Sequence, residues 1–562
     1  MKKLSVVTAI LMMAVSLSLY SSNEVRMIPL DSSVYGDIEA LYLVAGYGTP
    51  SNKAPWSVAE ADLILSRIDV NSLSFEMKAF YDRIEAEVNS PLRYDYDELV
   101  DFGFNADVYG ELYAHSNGDE FSNEADWTFG FPERKPMILL RMDMAFSDFL
   151  YIYSDLQYGR NRFTDEDSFD QYDIDEDEGI ITSSGGGKYS TLSSIFNQAF
   201  LTNWMSATWD LDFQTPKRAL IATGSSNWNL SLSRDKIRWG NGHSGNFVIS
   251  DHDDYQEYLR FVTFSDKFSY DWTNMFFETN YNSGEGSSAD EQFKMFMAHR
   301  LEFRPIDSVT FALSENVMYQ NDVFSLRHFN PANIYHNLNS RTMFNAIAHA
   351  ELDVMVSPGI NLYGQFALDQ ARAPNEGDSQ ADASAYLFGI EYAKEISSGI
   401  LFSSLEFAST SPAMYRRELV DFITIRRYHG NGTSFVTHFD YLGYEYGGDA
   451  KVIQLDVTYR LPEDRNIAFQ LFYMRHGEVD FFTDNSIVND ITESSPSGEV
   501  VEETLSATLS GEYTIENLIS FIDSSLWANV SFVQKWDYTK ATESVSNYHT
   551  DVQLTVGMGL SF

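Results

Sequence analysis

The sequence predicts an all-β fold, a transmembrane antiparallel β-barrel of about 18 strands preceded by a small α-helical segment. Three observations lead there. From Leu99 onward apolar and polar residues alternate with the period of a half-buried strand, and tight turns alternate with long polar loops between the strands. The last strand ends in an aromatic residue, Phe562. Beyond the N-terminus no run of about 20 apolar residues occurs, so the spanning elements are not helices.

Composition agrees with this reading. Aromatic residues make up 15% of the 562, with 33 Tyr and 41 Phe, which suits alternating strands. Cysteine is absent, which removes any disulfide framework or thiolate metal site. The 82 acidic against 38 basic residues give a net charge of −44 and argue against nucleic acid as a partner. An acidic surface favours divalent cations, or cationic and neutral ligands, over anionic ones.

The elements follow in order. Lys2 and Lys3 precede an apolar run from Leu4 to Leu19 with Ser18, Ser21 and Ser22 at its end, the pattern of a secretory signal peptide over residues 1–22. Val34, Ile38, Leu41, Tyr42 and Ala45 then fall on one helix face. Ser57-Val58-Ala59-Glu60 is a capping box that opens a second helix, with Ala61, Ile64, Leu65 and Ile68 on one side. A third periodic run spans Ser72 to Val88. Residues 23–95 are therefore expected to form a periplasmic helical bundle, packed on itself or against the mouth of a barrel made by residues 96–562.

In the first barrel strand Phe102, Phe104, Ala106, Val108, Gly110 and Leu112 share one face, while Gly103, Asn105, Asp107, Tyr109, Glu111 and Tyr113 share the other. Tight turns are predicted near Ser147-Asp148, Gly224-Ser225-Ser226, Ser265-Asp266-Lys267, Pro305-Ile306-Asp307-Ser308, Ser357-Pro358-Gly359, Glu395 to Gly399 and Pro462 to Asn466. Long polar connections lie between them, among them Ser116 to Pro136, Asn161 to Gln214, Trp239 to Gln256, Gln320 to Ser340, Ser411 to Gly448 and Val479 to Val500. Long loops on one side and short turns on the other is the asymmetry of an outer-membrane barrel, with the long loops extracellular. Thr514 to Ser525 reads as an atypical short-side connection with a helical turn, and Tyr189 to Phe213 as loop, plug or helix. Val552, Leu554, Val556, Met558, Leu560 and Phe562 share one face of the final strand, which resembles the signal read by bacterial outer-membrane barrel assembly machinery.

Two loops carry candidate ligand chemistry. The first leaves a strand at Arg234 and includes Arg238, Trp239, Asn241, His243 and Asn246 within a glycine-rich stretch. Trp239 offers an apolar face and Arg238 a forked donor, a set suited to stacking on and hydrogen-bonding a sugar. The same residues also fit a loop folded inward to constrict the lumen, its arginines paired with lumen carboxylates. The second loop holds Arg427, Tyr428 and His429, with Tyr441, Tyr444 and Tyr446 further on. In the acidic insertion Asp165 to Glu178, the residues Asp173, Asp175 and Asp177 resemble the start of a calcium loop. Glu178 and Ser184 stand where an EF-hand requires Gly and Glu, so a solvated acidic loop is the better fit. The sequence has no nucleophile elbow, zinc-protease motif or phosphate-binding loop, and no enzyme is predicted.

Several of these stretches resemble one family. Arg238-Trp239-Gly240-Asn241-Gly242, His299-Arg300-Leu301-Glu302-Phe303-Arg304-Pro305, Phe311-Ala312-Leu313-Ser314-Glu315, Phe329-Asn330-Pro331 and Asn361-Leu362-Tyr363-Gly364-Gln365-Phe366-Ala367-Leu368-Asp369 are similar to the capsule assembly Wzi family of outer-membrane proteins. The helical run from Ile28 to Ile68 adds to the likeness. The resemblance implies a barrel with a helical bundle on its periplasmic side, acting as a lectin that holds capsular or related polysaccharide at the cell surface. The expected partners are outer-membrane lipids, surface polysaccharide and the barrel assembly machinery, with no cofactor. The alternative is a porin-like channel, whose lumen would be lined by Asp107, Glu111, Arg141, Asp143, Asp353, Asp456 and Arg460.

Overall fold

A computed structural model of the chain describes residues 23–562 except 91, 93, 98, 122–125, 131–132, 159–167, 176–179, 189–192, 196–199, 205–215, 278–292, 322–325, 339–343, 371–380, 418–419, 430–434, 463–464 and 520–521. The signal-peptide expectation over residues 1–22 lies outside the described residues.

Three helices come first: α1 (Val34–Ala45), α2 (Val58–Ser66) and α3 (Phe75–Val88). Their ends follow local chemistry. The Ser57 hydroxyl accepts from the Glu60 backbone N–H at 3.2 Å and Ser74 accepts from Met77 at 3.1 Å, each satisfying an N–H that has no partner within its helix. One face of each helix is buried, with Ile38, Leu41 and Tyr42 of α1 packed against Ile64 and Leu65 of α2 and Phe80 and Ile84 of α3.

Eighteen strands then close into a barrel. They begin with β1 (Val100–His115), β2 (Ile138–Phe146), β3 (Leu150–Tyr158), β4 (Ala219–Ser225), β5 (Trp228–Asp235) and β6 (Gln256–Phe264). The wall continues through β7 (Phe268–Phe277), β8 (Phe293–Ile306), β9 (Val309–Asn321), β10 (Phe344–Ser357), β11 (Ile360–Gln370) and β12 (Ala383–Ile396). It ends with β13 (Gly399–Thr410), β14 (Ala450–Leu461), β15 (Arg465–His476), β16 (Val500–Ile519), β17 (Ile522–Thr539) and β18 (Ser544–Ser561). Each strand pairs antiparallel with the next. The final strand returns to the first, with Leu554 opposite Ala114 and Leu560 opposite Val108, so the sheet has no free edge along this seam.

Strand parity sorts the side chains. On β12 the even-numbered residues face outward and include Phe388, 62% exposed, whereas Glu391 and Ala393 of the odd set are buried. Leu232, Leu352, Phe366, Leu405 and Val530 belong to the same exposed apolar exterior. In water such a surface would associate; around a transmembrane barrel it is the lipid-facing belt.

Three local expectations are corrected. Thr514 to Ser525 holds no helical turn among its described residues: Tyr513, Thr514 and Ile515 continue β16 and pair with Leu526, Ser525 and Ser524 of β17, as suits β-branched and aromatic residues. The link from β17 to β18 spans only residues 540–543, although it lies at the end where the other connections are long. Within 189–213, Ser193–Ile195 and Phe200–Thr202 form short strands, the second pairing with β1 at Leu112 and Tyr113.

Candidate functional site: the long-loop face and the lumen beneath it

The helical bundle sits at the short-turn end. The Gly48 N–H donates to Asp307 O at 2.9 Å, Gly359 N–H to Leu43 O at 2.8 Å, and Arg67 pairs with Asp266 at 3.2 Å, all of them turn residues on that side. Between α1 and α2 the chain runs up the lumen. Lys53 and Ala54 there pair antiparallel with Trp239 and Arg238 of the loop after β5, and Gly240 N–H donates to Asn52 O at 2.6 Å.

That loop, residues 236–255, folds inward. Gly240 and Gly245 hold φ of +118° and +123°, backbone that side chains rarely adopt, and a Cβ at Gly240 would lie 2.0 Å from Asn246 Oδ1. The glycines thus serve close packing. Trp239 is fully buried and its indole N–H donates to Asp271 on β7 at 3.1 Å. Asn246 is also enclosed, its Oδ1 accepting from Gly242 N–H at 3.0 Å and from Gln365 Nε2 at 2.7 Å. Asn241 donates to Asp353, and His243 Nε2 donates to Glu391 at 3.0 Å.

The candidate residues therefore do not form one patch. Trp239, Asn241, His243 and Asn246 lie together in the lumen plug, and Trp239 presents no face to a ring. Arg238, with a third of its side chain exposed, reaches Asp251 at 3.5 Å. By strand parity Arg234 points to the barrel exterior, where it pairs with Glu257 and lies over the Tyr255 ring. Arg427, Tyr428 and His429 belong to a hairpin, Ile423–His429 against Phe435–Tyr441, within the loop between β13 and β14. Asp173 and Asp175 lie on a strand paired with Ile180–Lys188, and Asp177 is outside the described residues.

Sequence reading missed the charged clamp beneath the loop. Arg260 Nε and Nη2 donate to Asp271 at 2.9 and 2.6 Å, and Nη1 donates to Pro55 O at 2.7 Å. Arg300 bridges Glu351 and Glu302, and those carboxylates accept from Asn52. Arg304 holds the Thr49 and Pro50 carbonyls. Alternation along Arg300-Leu301-Glu302-Phe303-Arg304 sends every second, charged residue to the lumen, and this spacing was the available signal.

Above the plug the loops interlock. Ser250 N–H donates to Leu442 O at 3.1 Å, the Tyr415 hydroxyl to Phe247 O at 2.8 Å, and Arg416 Nη2 to Thr483 O at 2.7 Å. Trp239, Phe247, Val248, Ile249, Tyr415 and Tyr444 share one apolar core there. His252 Nε2 donates to Asp440 at 3.1 Å and joins the loop after β5 to the hairpin. Burial alone would lower the His252 pKa, but the charge and hydrogen bond of Asp440, with Asp253 and Glu445 nearby, raise it to about 10. His243 likewise rises to about 10: its burial is outweighed by the Glu391 hydrogen bond and the charges of Glu39, Glu391 and Glu406. The geometry makes a capped face supported from below.

Residues 159–541 match the family model for capsule assembly protein Wzi. No curated protein sequence matches the chain. Among solved structures, the Escherichia coli outer-membrane protein Wzi, described as a carbohydrate-binding β-barrel involved in group 1 capsule assembly, aligns at a TM-score of 0.55 with 12% identity, covering 95% of this chain and 99% of its own. At that identity the likeness is one of fold. OprD of Pseudomonas aeruginosa aligns at 0.37 with 8% identity over 82% of this chain and 95% of its own.

Proposed function

The chain belongs to the Wzi capsule assembly family, and from that premise we propose that it is a surface-polysaccharide-binding, lectin-like barrel of the outer membrane that attaches or helps assemble capsule or exopolysaccharide. In this reading a leader peptide exports it, barrel assembly machinery inserts it, the long loops face outward and the helical bundle lies in the periplasm. The observation that carries the reading is the interlocked loop face over an occupied lumen. Such an arrangement offers a polymer a broad, fixed surface, whereas a solute channel needs an open path.

The residues take different parts. Arg238 and the hairpin carrying Arg427, Tyr428 and His429 are the proposed contacts, with Arg234 at the membrane-facing rim. Trp239, Asn241, His243 and Asn246 hold the loop that presents Arg238. Each contact with a polymer repeat is weak, and retention comes from many repeats meeting many copies. No bond is made or broken.

Titrating refolded protein with a panel of bacterial surface polysaccharides tests this. Saturable binding, weakened at least threefold by Arg238→Ala and by Arg427→Ala with heat-modifiable mobility intact, is expected. Binding to no polysaccharide, together with steady conductance steps in planar bilayers, would replace the lectin with the channel.

A further inference from the structure

Where plug, loop and wall meet, donors from three separate elements converge. Glu39 lies on α1, His243 on the inward loop and Glu391 on β12, and their ligand atoms all lie within 4.8 Å of one another. We propose that this triad is a divalent-metal site that ties the helical bundle to the barrel wall and to the loop above.

Carboxylates outnumber cations around it. Glu406 accepts from the His243 and Ser244 backbone N–H groups, each at 2.9 Å, and from the Tyr363 hydroxyl at 2.8 Å. Asp353 accepts from Thr49 at 3.1 Å and from Asn52 at 2.5 Å. Among the described residues no arginine or lysine forms an ion pair with Glu39, Glu391, Glu406 or Asp353; His243 pairs with Glu391, and Arg238 and Arg460 act on Glu39 only from a distance. Glu391, Glu406 and Asp353 are buried, and carboxylates this deep are costly unless cations or donors answer them.

A second observation comes from an amide that touches the triad and from another beside the neighbouring Asp353. Asn361, with no exposed surface, turns its Nδ2 to Glu391 at 2.9 Å, and Asn241, also buried, turns its own to Asp353. The neighbouring carboxylates fix both amides, because a flip would set oxygen against oxygen. In each the Oδ1 is left buried with no hydrogen-bond donor. Surplus acceptors of this kind are what a cation and its bound water satisfy.

One imidazole and two carboxylates suit an ion of the zinc or manganese type better than calcium, which prefers all-oxygen shells. The inference stands apart from the polysaccharide reading.

The test strips the full-length protein in detergent with chelator and titrates it with Zn2+ by calorimetry, comparing Glu39→Gln and His243→Gln. Both substitutions are close in size, and heat-modifiable mobility verifies the barrel. One ion per chain, bound at least tenfold more weakly in each variant, is expected, together with slower amide exchange in α1 of the wild type when Zn2+ is present. Absence of stoichiometric binding by the stripped wild type, or binding unchanged in both variants, overturns the proposal.

Discussion

The indole N–H of Trp239 and the carboxylate of Asp271 meet at 3.1 Å inside the barrel, and the same Asp271 oxygen accepts two hydrogen bonds from Arg260. Arg260 in turn holds the Pro55 carbonyl. One wall carboxylate thereby joins the inward loop to the segment that rises from the helical bundle.

Trp239 is expected to matter for stability and not as a sugar platform. Trp239→Phe keeps a ring and removes one buried hydrogen bond, for a loss of about 1 kcal/mol. Trp239→Ala opens a cavity in the loop core and costs roughly 3–5 kcal/mol. Denaturant unfolding followed by tryptophan fluorescence measures both losses, and folded Trp239→Phe should bind polysaccharide as the wild type does.

Removing one partner of the Arg260 and Asp271 pair leaves a buried charge. Arg260→Leu should destabilise by about 3–5 kcal/mol, and adding Asp271→Leu should restore part of it. A double-mutant cycle in the same unfolding assay reads this, and simple additivity would contradict the pairing.

Full-length protein is expected to be silent in planar bilayers, because residues 47–57 and 236–255 occupy the lumen. Arg304 holds the Thr49 and Pro50 carbonyls, and Arg300 pairs with the carboxylates that receive Asn52. Replacing both arginines with alanine should loosen the segment and produce intermittent conductance. Steady openings in the wild type would contradict an occupied lumen.

The His252 bridge gives a pH dependence whose sign follows from its raised pKa. Protonated His252 faces Asp440, Asp253 and Glu445, so the folded loops hold the proton up to about pH 10, against 6.5 for the free side chain. The bridge is therefore at full strength below about pH 6.5 and is lost as pH rises through 10. Limited proteolysis of the loop between β13 and β14 should quicken between pH 7 and 10.5, and His252→Gln should cleave readily at both.

The barrel was legible because alternation, short turns and long loops are local properties of the chain. Asp107, Glu111 and Asp353, expected on the inner face, are buried there. The meeting of Glu39, His243 and Glu391 was not legible, since closure of the sheet and the path of the plug bring together residues hundreds of positions apart. Arg234 and Arg238, four apart in sequence, look like one patch there. The strand ends between them, sending the first to the exterior and the second into the loop. Likewise the glycines around Asn241 signal close packing and ligand approach equally well in sequence, and only the neighbours decide.

Amide hydrogen exchange of the full-length protein, with and without the polysaccharide it retains best, addresses the central claim most directly. Protection gathered in the loops after β5 and β13, with the short turns and helices unchanged, is the expected result. Protection at the helical bundle instead, or none at concentrations that saturate binding, would contradict recognition by the long-loop face.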